Sequence, residues 1–182
     1  MKNMRDFIGQ PMEWIQPNAA DRSYDLRART DVVATLRWPK AGGSLALGES
    51  ADGNWSFKRT GFISTKVTVR ATGTESNIAV YSPNWLAGKG TLELAGGGRY
   101  LWTIMDFGGS QWAFCNESGE PLVHYKVEWR LQKATAAVEI APAGAAVSEL
   151  SLLTMLGWYF IVLAAEDQIG LLPGLIASGT AG

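Results

Sequence analysis

Cysteine and histidine are almost missing from this chain, with Cys115 and His124 single occurrences in 182 residues. One thiol cannot close an internal disulfide, so packing must hold the fold and nothing marks an oxidising compartment. One His and one Cys would leave a zinc site to be built mostly of carboxylates, so no metal is expected, nor any other cofactor. No serine or cysteine stands at a spacing from His124 that suggests a triad, and no glycine-rich nucleotide loop precedes a helix. Positive charge is absent from one end: positions 134–182 hold four acids and no Lys or Arg, whereas positions 1–70 hold eleven Lys/Arg against seven acids. The net charge of −1 gives no global field to attract a nucleic acid, and none is expected as a partner. No apolar run follows the charges of Met1 to Asp6, so no secretory signal is expected. A cytoplasmic location follows, peripheral to a membrane if lipid is the ligand.

Eight tryptophans stand out. Aromatic side chains bury large areas and suit a pleated surface. From about Tyr24 to Ile140 the chain alternates apolar and polar residues in short runs between turn signals. Ala34, Leu36 and Trp38 share one parity. Thr65, Val67 and Val69, with Ile63 before them, oppose Ser64, Lys66, Thr68 and Arg70. Val123, Tyr125, Val127 and Trp129 oppose His124, Lys126, Glu128 and Arg130. Period-two alternation with one apolar side is the mark of a half-buried strand. Gly96-Gly97-Gly98 reads as a tight hairpin between two such strands. Ten to twelve strands are expected, counting one near Phe7 to Trp14.

Leu150 to Ala165 is different: sixteen residues without a charge. Ser148 reads as the N-cap and Glu149 suits the first turn, whereas Glu166 and Asp167 oppose the helix dipole. Sixteen residues span roughly 24 Å, short of the ~30 Å hydrocarbon core, and acids rather than Lys or Arg flank them. Three dispositions are open: a core helix surrounded by sheet, a C-terminal membrane anchor, or an exposed helix for a partner. A helix apolar on every side must be hidden, and a barrel can hide it. The fold expected is mainly β: a closed or nearly closed antiparallel barrel of ten to twelve strands enclosing one C-terminal apolar helix. Residues 1–23 are expected to pack on a barrel domain of residues 24–168, with the helix near 148–166 and a flexible tail at 169–182.

Gly109-Ser110-Gln111-Trp112-Ala113-Phe114, then Gly119-Glu120-Pro121-Leu122-Val123, then Leu150 to Ala165 resemble the strand–turn–strand and terminal helix of the tubby C-terminal-like superfamily. That group includes LURP-one-related and phospholipid-scramblase domains. Trp55 to Phe62 is similar to segments of uncharacterised bacterial members. The resemblance implies a twelve-stranded barrel around one hydrophobic helix. It also implies phosphoinositide binding through basic side chains, as in tubby domains, or membrane and calcium association, as in scramblases. The acids beside the terminal helix are here Glu166 and Asp167, two carboxylates against the six to eight oxygens calcium takes.

Lys58, Arg59, Lys66 and Arg70 are the one local basic concentration and the candidate binding residues. If their strands pair, they form a face for phosphate or an anionic headgroup, or a solvated, edge-protecting surface. Cys115 lacks an electropositive neighbour and reads as inert. Asp106, in Met105-Asp106-Phe107-Gly108-Gly109, reads as a turn residue. Trp85 is the tryptophan expected to be exposed. The function expected is a non-catalytic module binding a lipid, a membrane surface or a protein. The alternatives are a tail-anchored protein, or an enzyme whose site is assembled from dispersed side chains.

Overall fold

The computed structural model describes residues 1–61, 65–84, 89–130 and 133–171. A 3₁₀ turn at Met4–Phe7 precedes twelve strands: β1 Met12–Ile15, β2 Ser23–Ala28, β3 Asp31–Arg37, β4 Ala46–Ser50, β5 Gly53–Thr60 and β6 Lys66–Ala71, then β7 Ala79–Asn84, β8 Lys89–Leu94, β9 Arg99–Ile104, β10 Gln111–Cys115, β11 Pro121–Arg130 and β12 Lys133–Ile140. A second 3₁₀ turn at Pro142–Ala146 leads into helix α1, Leu150–Leu171. Each strand pairs antiparallel with the next, and β1 pairs with β12, so the sheet closes into a barrel. Closure leaves no strand edge open to another chain.

Alternation works as the sequence implies. Leu26, Leu36, Phe57, Val69, Phe114, Tyr125 and Val138 point inward and are buried, because a pleat sends successive side chains to opposite faces. The enclosed space is filled by α1, whose residues 150–163 are buried except for partly exposed Phe160. Eight strands leave room only for side chains. Twelve accommodate a helix, which is about 10–12 Å across with its side chains.

Three sequence boundaries need correction. The wall begins at β1, not at residue 24: Met12 pairs with Val138 and Ala28, and Trp14 with Ala136 and Leu26. Four residues between Pro11 and Pro17 give alternation too brief to be conspicuous, yet without them β12 and β2 would have open edges. The helix runs to Leu171, past the acids at 166 and 167 and three residues into the expected tail; positions 172–182 lie outside the described residues. Ser148 does not cap. Its hydroxyl donates to Glu149 Oε2 (2.8 Å), and the carbonyl of Glu149 accepts the first helical bond, from the Leu153 amide (2.9 Å).

The hairpin expected at Gly96-Gly97-Gly98 joins β8 to β9, with Gly97 at φ +93° and the Leu94 amide donating to the Gly98 carbonyl (2.8 Å). Asp106 lies in the β9–β10 turn. Phe62 to Ser64 and Trp85 fall outside the described residues.

One contact fixes how close helix and wall approach. The Tyr125 hydroxyl lies 3.0 Å from the Leu153 carbonyl and 2.9 Å from that of Thr154. A Cβ at Gly157 would stand 2.4 Å from that same oxygen. Gly157→Ala therefore has to displace a fully enclosed ring. Overpacking of this kind costs about 1–3 kcal/mol, against roughly 1 kcal/mol gained in helix propensity. Urea unfolding of this variant should give a lower midpoint than the wild type, despite the better helix former.

Candidate functional site

The two ends of the barrel differ. At the end where α1 begins, Arg5 of the first 3₁₀ turn donates to the carbonyls of Ala145 (2.6 Å) and Val147 (2.5 Å). Ser151 donates to Asp52 (2.5 Å), which also accepts from Asn3. Tyr100 donates to Glu149 (2.8 Å), and its phenol is pushed up to about 12, first by burial and then by that carboxylate. Met4 is buried beneath. This end is plugged.

At the other end α1 emerges, and its two acids are clamped. Both carboxylate oxygens of Glu166 accept from Arg22, whose remaining nitrogen donates to the carbonyls of Gly43 (2.6 Å) and Ala41 (3.2 Å). The Arg22 guanidinium also lies 4.6 Å from the centre of the Trp38 ring. Asp167 accepts from Arg59 at 2.7 and 3.3 Å. The helix survives these acids near its C-terminus because arginines from the wall neutralise them.

The predicted basic quartet is split by this arrangement. β5 and β6 do pair, Lys58 opposite Thr68 and Thr60 opposite Lys66. Lys58, Lys66 and Arg70 are exposed on the outer wall, and Arg70 donates to Asn77 (2.8 Å). Arg59 has the parity of buried Phe57 and turns inward to the helix. The four residues do not form one face.

Beside the emerging helix, on the side of β5 to β10, lies a cleft of about 280 Å³. Its floor is the helix stripe Phe160, Leu163, Ala164 and Asp167, spaced i, i+3, i+4, i+7 and therefore on one face. Its walls are aromatic. The Tyr81 ring lies 4.3 Å from that of Phe160, Trp102 lies 5.4 Å from Phe160, and Trp112 stacks on Trp102 at 5.4 Å. Gly90 makes room for Tyr81, since a Cβ there would stand 2.2 Å from the phenol oxygen. Small Ala164 is what leaves the space open. Lys66 and Lys89 stand at the rim, and among the described residues neither lies within salt-bridge distance of a carboxylate.

A comparison with protein-family models, curated proteins and solved structures finds no match.

The cleft's one carboxylate, Asp167, is held by Arg59. Burial pushes the Tyr81 phenol well up, so it stays protonated. Among the described residues no three His, Cys, Asp or Glu side chains converge as metal ligands. Cys115, on β10, is buried and alone, and burial raises its thiol.

The same end carries exposed apolar groups. Phe107, at the tip of the β9–β10 turn, projects fully into solvent, and Met105 and Leu45 are also exposed. The turn is braced by Asp106, which accepts from the Ser110 hydroxyl (2.7 Å) and from the amides of Ser110 (3.0 Å) and Gln111 (2.8 Å). Charge is polarised as well. The last two residues of each strand at this end include Arg37, Arg59, Lys66, Lys89, Arg130 and Lys133, and no acid. At the plugged end the corresponding positions carry Arg27, Arg70 and Arg99 against Glu13, Asp31, Glu49, Glu93 and Glu139.

Sequence reading missed Lys89 and Phe107, and took Trp102 and Trp112 simply as core. The available signals were a bulky aromatic between an acid and two glycines in a turn, and a small residue in an otherwise bulky helix stripe.

Hydrogen bonds to its ionised form hold the Asp106 carboxyl below the ordinary value of 3.8, that of the Ser110 hydroxyl foremost. A depressed folded value means the bracing is fully present above pH 3.8 and is lost as pH falls through the lower folded value. Amide exchange at Ser110 and Gln111 should accelerate in that acid range, and in Asp106→Ala at neutral pH. Unchanged exchange in the variant would contradict the brace.

Proposed function

We propose that this chain is a non-catalytic binding module that docks on an anionic membrane surface through the open end of its barrel. The observation that carries the reading is the sorting of charge: six basic strand ends and no acidic one at that end, of which Arg37 and Arg59 are paired with Glu49 and Asp167, beside the exposed Phe107. Basic residues near an anionic leaflet each contribute about 1 kcal/mol within a Debye length. An exposed aromatic beside them suits the headgroup region, where one side of a ring is apolar and the other wet. The acidic plugged end is repelled by the same surface, so the two poles orient the molecule together. Membership of the tubby C-terminal-like superfamily belongs to this proposal, supported by twelve strands closed around one C-terminal helix. So does a cytoplasmic, peripheral location.

Flotation with phosphatidylserine-containing vesicles tests the reading. The wild type should float with them and not with phosphatidylcholine alone, and added salt should release it. Lys66→Gln together with Lys89→Gln should weaken partitioning about thirtyfold, and Phe107→Ser should weaken it further without altering the salt dependence. Lys58→Gln with Arg70→Gln, which removes charge from the side wall, should have a smaller effect. Equal flotation of all variants would remove the open end from consideration.

A further inference from the structure

We infer that the cleft beside α1 is a binding site for the single alkyl chain of an anionic amphiphile, a medium- to long-chain carboxylate, with its head between Lys66 and Lys89. The inference draws on the proposed membrane docking only for the source of the ligand; the site itself can be tested without a bilayer. Its chemistry is mixed in one direction. The inner part presents Tyr81, Trp102, Trp112, Phe160 and Leu163, whereas the rim presents two lysines without a carboxylate partner among the described residues. A wholly apolar ligand would leave those ammonium groups unused, and a compact anion would leave the aromatic walls in contact with water. An occupant with a tail and an anionic head satisfies both.

Size and shape agree. From Phe160 to Asp167 the helix rises about 10 Å, which sets the length of the floor. The volume of about 280 Å³ lies near the lower bound of small-ligand pockets, about 300 Å³, too small for a two-chain lipid. The nearest carboxylate, Asp167, does not repel the head, because Arg59 bonds both of its oxygens. The polar space that adjoins the cleft at Arg59 and Leu163 is a poorer candidate. It is lined by Arg22 and Glu166, and the Arg22 nitrogens are already committed to Glu166 and two carbonyls.

Isothermal titration calorimetry of the full chain with hexanoate, octanoate, decanoate and dodecanoate, each below its micellar concentration, tests this directly. Affinity should rise roughly fourfold per added methylene until the floor is covered, and then level off. An alkyltrimethylammonium of equal length should bind at least tenfold more weakly than the carboxylate. Ala164→Phe fills the floor from the helix side and should abolish binding of the carboxylate while leaving flotation on anionic vesicles intact. Should that variant fail to fold, Lys66→Gln/Lys89→Gln decides, because both positions are exposed. It should weaken the carboxylate but not the alcohol of the same length. Absence of heat with every carboxylate, affinity independent of chain length, or equal affinity for the ammonium would overturn the inference. None of these results bears on docking, which flotation reads separately.

Discussion

A helix with no polar face imposes the first constraint on this molecule. Leu150 to Leu163 offers apolar side chains in every direction, and the only soluble arrangement for such a rod is enclosure on all sides. Twelve strands closed on themselves supply that enclosure. Within it Thr154 donates to the Leu150 carbonyl (2.8 Å) and Ser151 reaches Asp52, whereas the indole N–H groups of Trp14 and Trp158 are buried with no hydrogen-bond partner among the described residues. Arg5 bonds the carbonyls just before the helix begins, and Arg22 with Arg59 ties its other end to the wall. By length and composition Leu150–Asp167 is also apolar enough to cross a bilayer; in this fold the barrel wall occupies the place of lipid.

Closure also restricts where the molecule can meet anything else. With no strand edge exposed, pairing with an added strand is unavailable, and contact falls to the outer wall or the two ends. The outer wall carries charges of both signs in alternation, such as Lys126 and Glu128. The ends do not. One is packed with acids around a plug of backbone and side-chain bonds. The other gathers basic strand ends, an exposed aromatic and a cleft.

Much of this was legible from residue order. Period-two alternation located most of the strands because one face of every strand is buried, and the charge-free run located the helix for the same reason in reverse. β1 was obscure because four residues display barely one period. Arg59 was grouped with Lys58, Lys66 and Arg70 by proximity in sequence, although its parity with Phe57 already placed it inward. The helix was expected to end near 166 because the acids there are unfavourable, and the arginines that neutralise them come from more than one hundred positions away. The cleft was illegible for a related reason. Its lining is drawn from β5, β6, β7, β8, β9, β10 and α1, and no local pattern records which of these meet.

The helix's rotational setting can nevertheless be reasoned from its sequence once the wall is known. Successive helical residues turn by about 100°, and each of twelve strands occupies about 30° of a closed wall. Three consecutive aromatics should then meet wall sectors slightly more than three strands apart. The observed steps are unequal but average near that value: Trp158 packs on Trp14 and Tyr24 of β1 and β2, Tyr159 on Trp38, just past β3, and Phe57 of β5, and Phe160 on Tyr81, Trp102 and Phe114 of β7, β9 and β10. The first two meet bulky partners that fill their sectors. Phe160 begins the stripe that continues through Leu163 and Ala164 to Asp167, where side-chain volume falls while the wall stays wide. The position of the cleft therefore follows from the angular step of the helix combined with one small residue. Changing the volume at residue 164 alters the cleft while leaving the three aromatic anchors, and with them the setting of the helix, in place.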